Sequence, residues 1–167
     1  MNNTPIVSVV GKKNSGKTTL VEKLIRELKN RGYRLASVKH DAHSFDIDHP
    51  GKDSWRHGQA GADIVAISSP EKLAMIEKTD REPTLDEVVS RMTPVDLVIT
   101  EGFKRSNKMK IEVFRKDAGH EGLLCEKEEL LSVASDVDWE IDVPVYNIDD
   151  VDGIVKEIEK YVKNFSG

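Results

Sequence analysis

The stretch that most restricts the fold joins a five-residue apolar run, IVSVV at Ile6–Val10, to a glycine-bounded loop and then to a helical repeat. A short, continuous, β-branched apolar run reads as a strand buried on both faces, as strands of parallel sheets are. Behind the loop, Leu20, Val21, Leu24, Ile25 and Leu28 recur at the i, i+3, i+4 spacing of an amphipathic helix. Arg31-Gly32 supplies its stop, the glycine standing ready for the left-handed turn that ends a helix.

The loop itself has the spacing Gly11-x-x-x-x-Gly16-Lys17-Thr18. Glycines at both ends let the backbone curl until successive N–H groups point inward at phosphate oxygens. The following helix adds its positive N-terminal end. Lys17 is placed to reach the β- and γ-phosphates, and the Thr18 hydroxyl to ligate Mg²⁺. The expected nucleotide contacts are Gly11, Lys12, Lys13, Asn14, Ser15, Gly16, Lys17, Thr18 and Thr19. A turn that merely links strand to helix can show the same letters. The strand before and the helix after are what the phosphate-cradling mechanism demands.

Further along, residues 34–39, 63–68, 72–76, 95–100, 109–114, 130–134 and 143–146 read as strands. Helices are expected from Asp53 to Gly61, capped by Asp53 or Ser54, over Leu85, Val88, Val89 and Met92, and over the closing segment from Val151 to Val162. Thr84 and Glu87 are spaced as a capping box for the second of these. Strands alternating with helices of this length predict a three-layer α/β fold with a mostly parallel central sheet flanked by helices. Neither repeats nor a linker divide the chain, so one nucleotide-binding domain over residues 1–167 is expected.

A phosphate loop needs an acidic strand end to hold the metal or its water. The apolar run before Thr100-Glu101-Gly102 supplies one, since ligands of such sheets lie beyond the carboxyl ends of the strands. Glu101 is the candidate for a catalytic role and, with Thr18, for Mg²⁺, directly or through water; otherwise it simply ends a strand in solvent. Asp48-His-Pro-Gly51 has the spacing of a GTPase switch, but no buried strand leads into it.

Residues 40–53 gather three histidines and four aspartates in fourteen residues. His40 and His43 lack the helical spacing of a metalloprotease, leaving a zinc site, a loop around nucleotide and Mg²⁺, or a solvated connection. Within this stretch Gly51, Lys52, Asp53 and Ser54 combine backbone access, a cation and helix-capping side chains, which suits a second nucleotide contact.

Bulk properties close off other classes. The formal net charge is −5 with 33% charged and 38% hydrophobic residues, so no global field attracts nucleic acid or an anionic membrane. One cysteine, Cys125, excludes an internal disulfide. No apolar run approaches the ~20 residues of a membrane span, and the first residues do not read as a signal peptide, so a cytoplasmic location is expected.

Taken with the phosphate loop, Val38-Lys-His-Asp-Ala-His43, Asp46-Ile-Asp-His-Pro-Gly-Lys-Asp-Ser54, Ala60-Gly-Ala62 and Asp96-Leu-Val-Ile-Thr-Glu-Gly-Phe-Lys104 resemble the MobB family of molybdopterin-guanine dinucleotide biosynthesis adapter proteins. The resemblance extends through Val133-Ala-Ser-Asp136 and the closing helix. It implies a P-loop NTPase fold and a GTP-binding, weakly GTP-hydrolysing homodimer. It also implies a companion guanylyltransferase, MobA, which joins GMP to molybdopterin, and so proximity to molybdopterin or its guanine dinucleotide. GTP comes from the resemblance alone: no Asn-Lys-x-Asp guanine motif is present, and Asn107-Lys108-Met109-Lys110 ends in lysine where the aspartate belongs. Lys12 occupies the place where dimerising P-loop NTPases carry a lysine that reaches the partner's nucleotide; an exposed lysine in an electropositive loop is the other reading. A small-molecule kinase and a metal-carrying chaperone using the histidine loop are the competing functions. No segment near Arg81 and Arg91 is long enough for a kinase lid.

Overall fold

The structure is a computed structural model and describes residues 4–41, 45–92, 94–119 and 121–165. Two compact units are present: residues 1–40 together with 85–167, and residues 41–84.

The larger unit is built on strands β1 (Ile6–Val10), β2 (Leu35–Lys39), β5 (Leu97–Glu101), β6 (Met109–Phe114), β7 (Leu130–Ser135) and β8 (Val145–Asn147). They form one six-stranded sheet in the order β2-β5-β1-β6-β7-β8, and every neighbouring pair is parallel. Alternation along the strands sends side chains to two faces. Val7, Val9, Leu97, Ile99, Ile111 and Val113 pack in one core with the apolar stripes of α1 (Lys17–Asn30) and α4 (Val151–Phe165). Their neighbours Ile6, Val38 and Val98 face the short helix α3 (Leu85–Val89). Further along that face, Phe114, Leu130 and Val133 are covered by Leu123, Trp139 and Val143 from irregular segments. The expected α/β layering is therefore present, with one outer layer helical and the other partly loop.

Element ends follow from local chemistry. Helix α1 closes in a Schellman turn: Gly32 takes φ 91°, its N–H donates to the Lys29 carbonyl, and the Tyr33 N–H donates to that of Leu28. Arg31 then joins this end to α4 through Glu159 and Asp152, at 2.8 and 2.6 Å. Strand β8 begins at Val145 rather than Val143, because Pro144 has no N–H for the ladder and only its carbonyl is used, accepting from Val133. Helix α3 stops at Val89 rather than near Met92; the Arg91 and Met92 N–H groups bond three residues back, tightening the last turn.

In the smaller unit, α2 (Asp53–Gln59) precedes β3 (Ile64–Ser68) and β4 (Leu73–Glu77). These strands pair antiparallel as a separate two-stranded sheet rather than joining the parallel one. Ser69 closes the hairpin, its N–H donating to the Lys72 carbonyl and its hydroxyl accepting from the Lys72 N–H. The cap of α2 is Lys52 in extended conformation, so Asp53 and Ser54 lie inside the first turn instead of capping it. Ile64, Ile67, Leu73 and Met75 on this hairpin are 48–66% exposed. Among the described residues no helix is long and apolar enough to cross a membrane.

One buried charge is built into the sheet. The Lys110 side chain, fully buried in β6, donates to Glu129 Oε1 at 2.6 Å and to the Ser106 carbonyl at 2.8 Å. Its hydrogen bond holds the Glu129 carboxyl below the usual value near 4.5. A depressed carboxylate contributes stability above that value and loses it as pH falls through the folded pKa. Glu129→Gln should cost about 1–3 kcal/mol at neutral pH by leaving the ammonium short of its partner. Urea unfolding across the acid range should also show a shallower loss of stability below pH 4.5 in this variant than in the parent.

Candidate functional site

The carboxyl ends of β2, β5, β1 and β6 converge where Gly11 to Gly16 leave the sheet. Gly11 passes so close to β6 that an added Cβ would stand 2.5 Å from the Val113 carbonyl oxygen and 2.8 Å from Ser15 Oγ. Gly16 takes φ 94° and caps α1, a conformation that disfavours any other residue. Asn14, at φ 64°, adopts the same left-handed region, which its short polar side chain tolerates. The loop is thus held in a tight arc by the absence of side chains at its ends.

Two polar groups at that arc point to an anion. Ser15 is fully buried and its Oγ has no hydrogen-bond partner among the described residues. Lys17 Nζ folds back to donate to the Lys12 carbonyl at 2.6 Å, the cradle's own backbone standing where a phosphate oxygen would accept. Burial is the main influence on its pKa and lowers it below 10.5; Glu101 opposes this, and Lys39 adds to it. A lysine that has lost hydration in this way gains most from an anionic partner.

Glu101 stands beside Lys17 and against Thr18. Strand β5 lies between β1 and β2, so Glu101 is registered with Val9 on one side and Lys39 on the other. The Gly102 N–H donates to the Val9 carbonyl and the His40 N–H to that of Glu101, at 2.9 Å each. So anchored, Glu101 Oε1 accepts the Thr18 hydroxyl at 2.8 Å. Both expected metal-binding side chains are brought together, although they are far apart in sequence. A hydroxyl and a carboxylate next to a phosphate cradle are the oxygen donors that Mg²⁺ prefers, so the residues fit a Mg-nucleotide.

Two residues here stand outside the phosphate-loop motif. Lys39 ends β2 next to Glu101 and supplies a second cation. Arg115 directly follows β6, and its Nε lies 3.5 Å from where a Cβ on Gly16 would stand. The signal available for Arg115 was the one that marked Glu101: a charged residue just past the end of an apolar strand. Lys12 donates to the Gly119 carbonyl at 2.9 Å, tying the phosphate loop to the segment after β6.

Other expected positions lie elsewhere. Gly51, Lys52, Asp53 and Ser54 belong to the smaller unit, where Ser54 Oγ and the His49 N–H both donate to Asp48 Oδ1, at 3.0 and 2.8 Å. Asp48 thereby caps a turn, and among the described residues no strand leads into Gly51. His43 lies outside the described residues; among those described, no group of three or more His, Cys, Asp or Glu is arranged to hold a metal. Asn107 to Lys110 sit at the amino end of β6, the opposite end of the sheet from the phosphate loop. There Lys108 pairs with Asp86 at 2.7 Å and Lys110 is buried, so neither faces a base.

A parallel sheet whose first strand ends in a side-chain-poor anion cradle, with lysine, threonine and an opposed carboxylate at the next helix, defines a P-loop α/β protein. Residues 6–136 match the family Molybdopterin guanine dinucleotide synthesis protein B, MobB. The molybdopterin-guanine dinucleotide biosynthesis adapter protein of Escherichia coli strain K12 is 37% identical over 169 residues, covering 98% of this chain and 96% of that protein. Its counterpart in Haemophilus influenzae is 36% identical, with 99% and 94% covered. A crystal structure of molybdopterin-guanine biosynthesis protein B has a TM-score of 0.74 at 32% identity, covering 95% of this chain and 99% of that one. The chain belongs to the MobB family and is an adapter of molybdopterin guanine dinucleotide biosynthesis, part of molybdenum cofactor assembly.

The depressed Lys17 pKa has a measurable sign. Between its folded pKa and 10.5 the unfolded chain binds more protons, so this lysine's contribution to stability rises with pH through that window. At neutral pH Lys17→Met should be the more stable protein without nucleotide, and its advantage should shrink as pH approaches 10.5. Parallel urea titrations along that pH series read the difference directly.

Proposed function

We propose that this adapter binds GTP with Mg²⁺ at the cradle from Gly11 to Thr19 and hydrolyses it slowly, as a cytoplasmic homodimer serving the guanylyltransferase MobA. The observation that carries the reading is the Thr18–Glu101 contact of 2.8 Å beside the inward-turned Lys17. Backbone N–H groups and Lys17 hold the phosphates, the ammonium leaving the Lys12 carbonyl for a phosphate oxygen. Thr18 and Glu101 are the residues that would hold the cation, and when bound it offsets phosphate charge. Glu101, anchored through its own backbone and carrying an accepting carboxylate, orients the attacking water. Turnover is slow because positioning, rather than a strong base, is all these side chains supply. Molybdopterin or its guanine dinucleotide is the product-side ligand.

Calorimetry with the full chain tests the site. Lys17→Ala should lose about 1.5–3 kcal/mol of Mg-GTP affinity through its charge-assisted bonds while keeping the parent's circular dichroism. Glu101→Gln should slow phosphate release more than it weakens binding. Unchanged GTP affinity in folded Lys17→Ala overturns the cradle assignment, and unchanged turnover in Glu101→Gln reduces that residue to a strand end.

Support for the homodimer comes from the hairpin. Leu73 and Met75, on its β4 strand, are 66% and 60% exposed, and a two-stranded sheet that leaves such side chains in water is marginal. A second copy burying the same strip offsets that cost, each contact being made twice by symmetry. Leu73→Lys with Met75→Lys should shift the protein from dimer to monomer in sedimentation equilibrium. A parent protein that sediments as a monomer at high micromolar concentration would reject the assembly.

A further inference from the structure

Resting on the nucleotide reading above, we propose that the guanine base is read at the carboxyl ends of β7 and β8, by the Asp138 carboxylate and the Asn147 carboxamide. A polar cleft of about 200 Å³ opens there, lined in part by Ser135, Asp138, Trp139, Tyr146 and Asn147. It lies on the phosphate-loop end of the sheet, since all six strands run parallel. Two strand spacings separate β7 from β1, roughly 10 Å. That is the reach of a ribose between phosphates held at the loop and a base beyond it.

The ground between them is continuous. Arg115 rests against Gly16, and the next residue, Lys116, donates its N–H to Asp136 Oδ1 at 3.0 Å. Ser135 Oγ then accepts from the Val137 N–H and from Trp139 Nε1, at 3.0 and 3.2 Å, curling residues 136–139 over the end of β7. Trp139 is fixed edge-on against Phe114, with ring centroids 4.7 Å apart. The cleft therefore has a braced wall with an indole in it.

Most polar groups around this cleft are already committed. Asp136 holds Lys116, and the Tyr146 hydroxyl donates to Glu157 at 2.7 Å. Asp138 has no hydrogen-bond or ion-pair partner among the described residues. Asn147 accepts the Asp149 N–H at 3.0 Å, which can only be through its oxygen, so its NH₂ group is the end left to donate. One bidentate acceptor and one donor remain.

That pair is complementary to guanine and not to adenine. Guanine presents the N1–H and N2–H₂ donors beside the O6 acceptor; the carboxylate takes the first two and the carboxamide supplies the third bond. Adenine would set the N1 lone pair against the carboxylate and its N6–H₂ donor against another donor. A site built around such bonds discriminates strongly because the wrong base leaves its polar groups unpaired. Asp138 and Asn147 lie beyond residue 136, where the family match ends.

Competition binding on the full chain with Mg²⁺ and GTP, ATP or xanthosine triphosphate separates this inference from the one it rests on. The parent should prefer GTP over ATP and xanthosine triphosphate by at least about 100-fold. Asp138→Asn should lose that preference for GTP and bind xanthosine triphosphate better than the parent does, because an amide NH₂ can donate to the xanthine C2 carbonyl. Lys17→Ala should weaken GTP and xanthosine triphosphate together and leave their ratio unchanged. A folded Asp138→Asn protein with the parental ratio overturns the base assignment while the cradle stands, as does a parent that binds GTP and ATP equally. A parent that binds no triphosphate overturns both.

Discussion

The site depends on the parallel pairing of β5 with β1. Only that register puts Glu101 level with Val9, one step before the chain turns into the phosphate loop. The Gly102 N–H bond to the Val9 carbonyl then fixes how the carboxylate leaves the sheet. A slip of one residue would send the Glu101 side chain to the other face, because strand side chains alternate with period two. The fully buried run of Val7, Val9, Leu97 and Ile99 beneath α1 and α4 makes such a slip costly. Hydrophobic packing in the sheet is therefore what holds a hydroxyl and a carboxylate within hydrogen-bonding distance at its carboxyl end.

Charge is distributed to the same end. Lys17, Lys39 and Arg115 belong to three different elements and meet around the loop, in a protein whose formal net charge is −5. Electropositive character here is local, created by strand ends rather than by composition. Anion binding then relieves two costs at once: the partial burial of Lys17 and the unpartnered Ser15 hydroxyl.

Much of the fold was legible in the chain. The phosphate loop between Val10 and Lys17 was plain because its glycines serve a local backbone shape, and local shape is written in local residues. The strands at Ile6 and Met109 were equally plain, being short apolar runs, and the run expected over 95–100 is a strand at Leu97–Glu101. The separate hairpin of β3 and β4 was legible as two strands but not as a second sheet, since pairing partners are set by what else is available to pair. Strand β8 and helix α3 differed at their ends, where Pro144 removes a ladder bond and a tightened turn takes over from α-helical bonds.

Function divides along the same line. By itself the sequence determined an anion cradle with a metal-suited threonine, and enough characteristic blocks to place the chain in its family, because those features are carried by residues adjacent in the chain. Tertiary structure alone decided that Glu101 meets Thr18, that Arg115 and Lys39 join them, and that Asn107 to Lys110 lie at the wrong end of the sheet to read a base. It also decided that Asp138 and Asn147 share one cleft. Each of these is a relation between strand ends, and which strands end side by side follows from the order β2-β5-β1-β6-β7-β8, which no local pattern encodes.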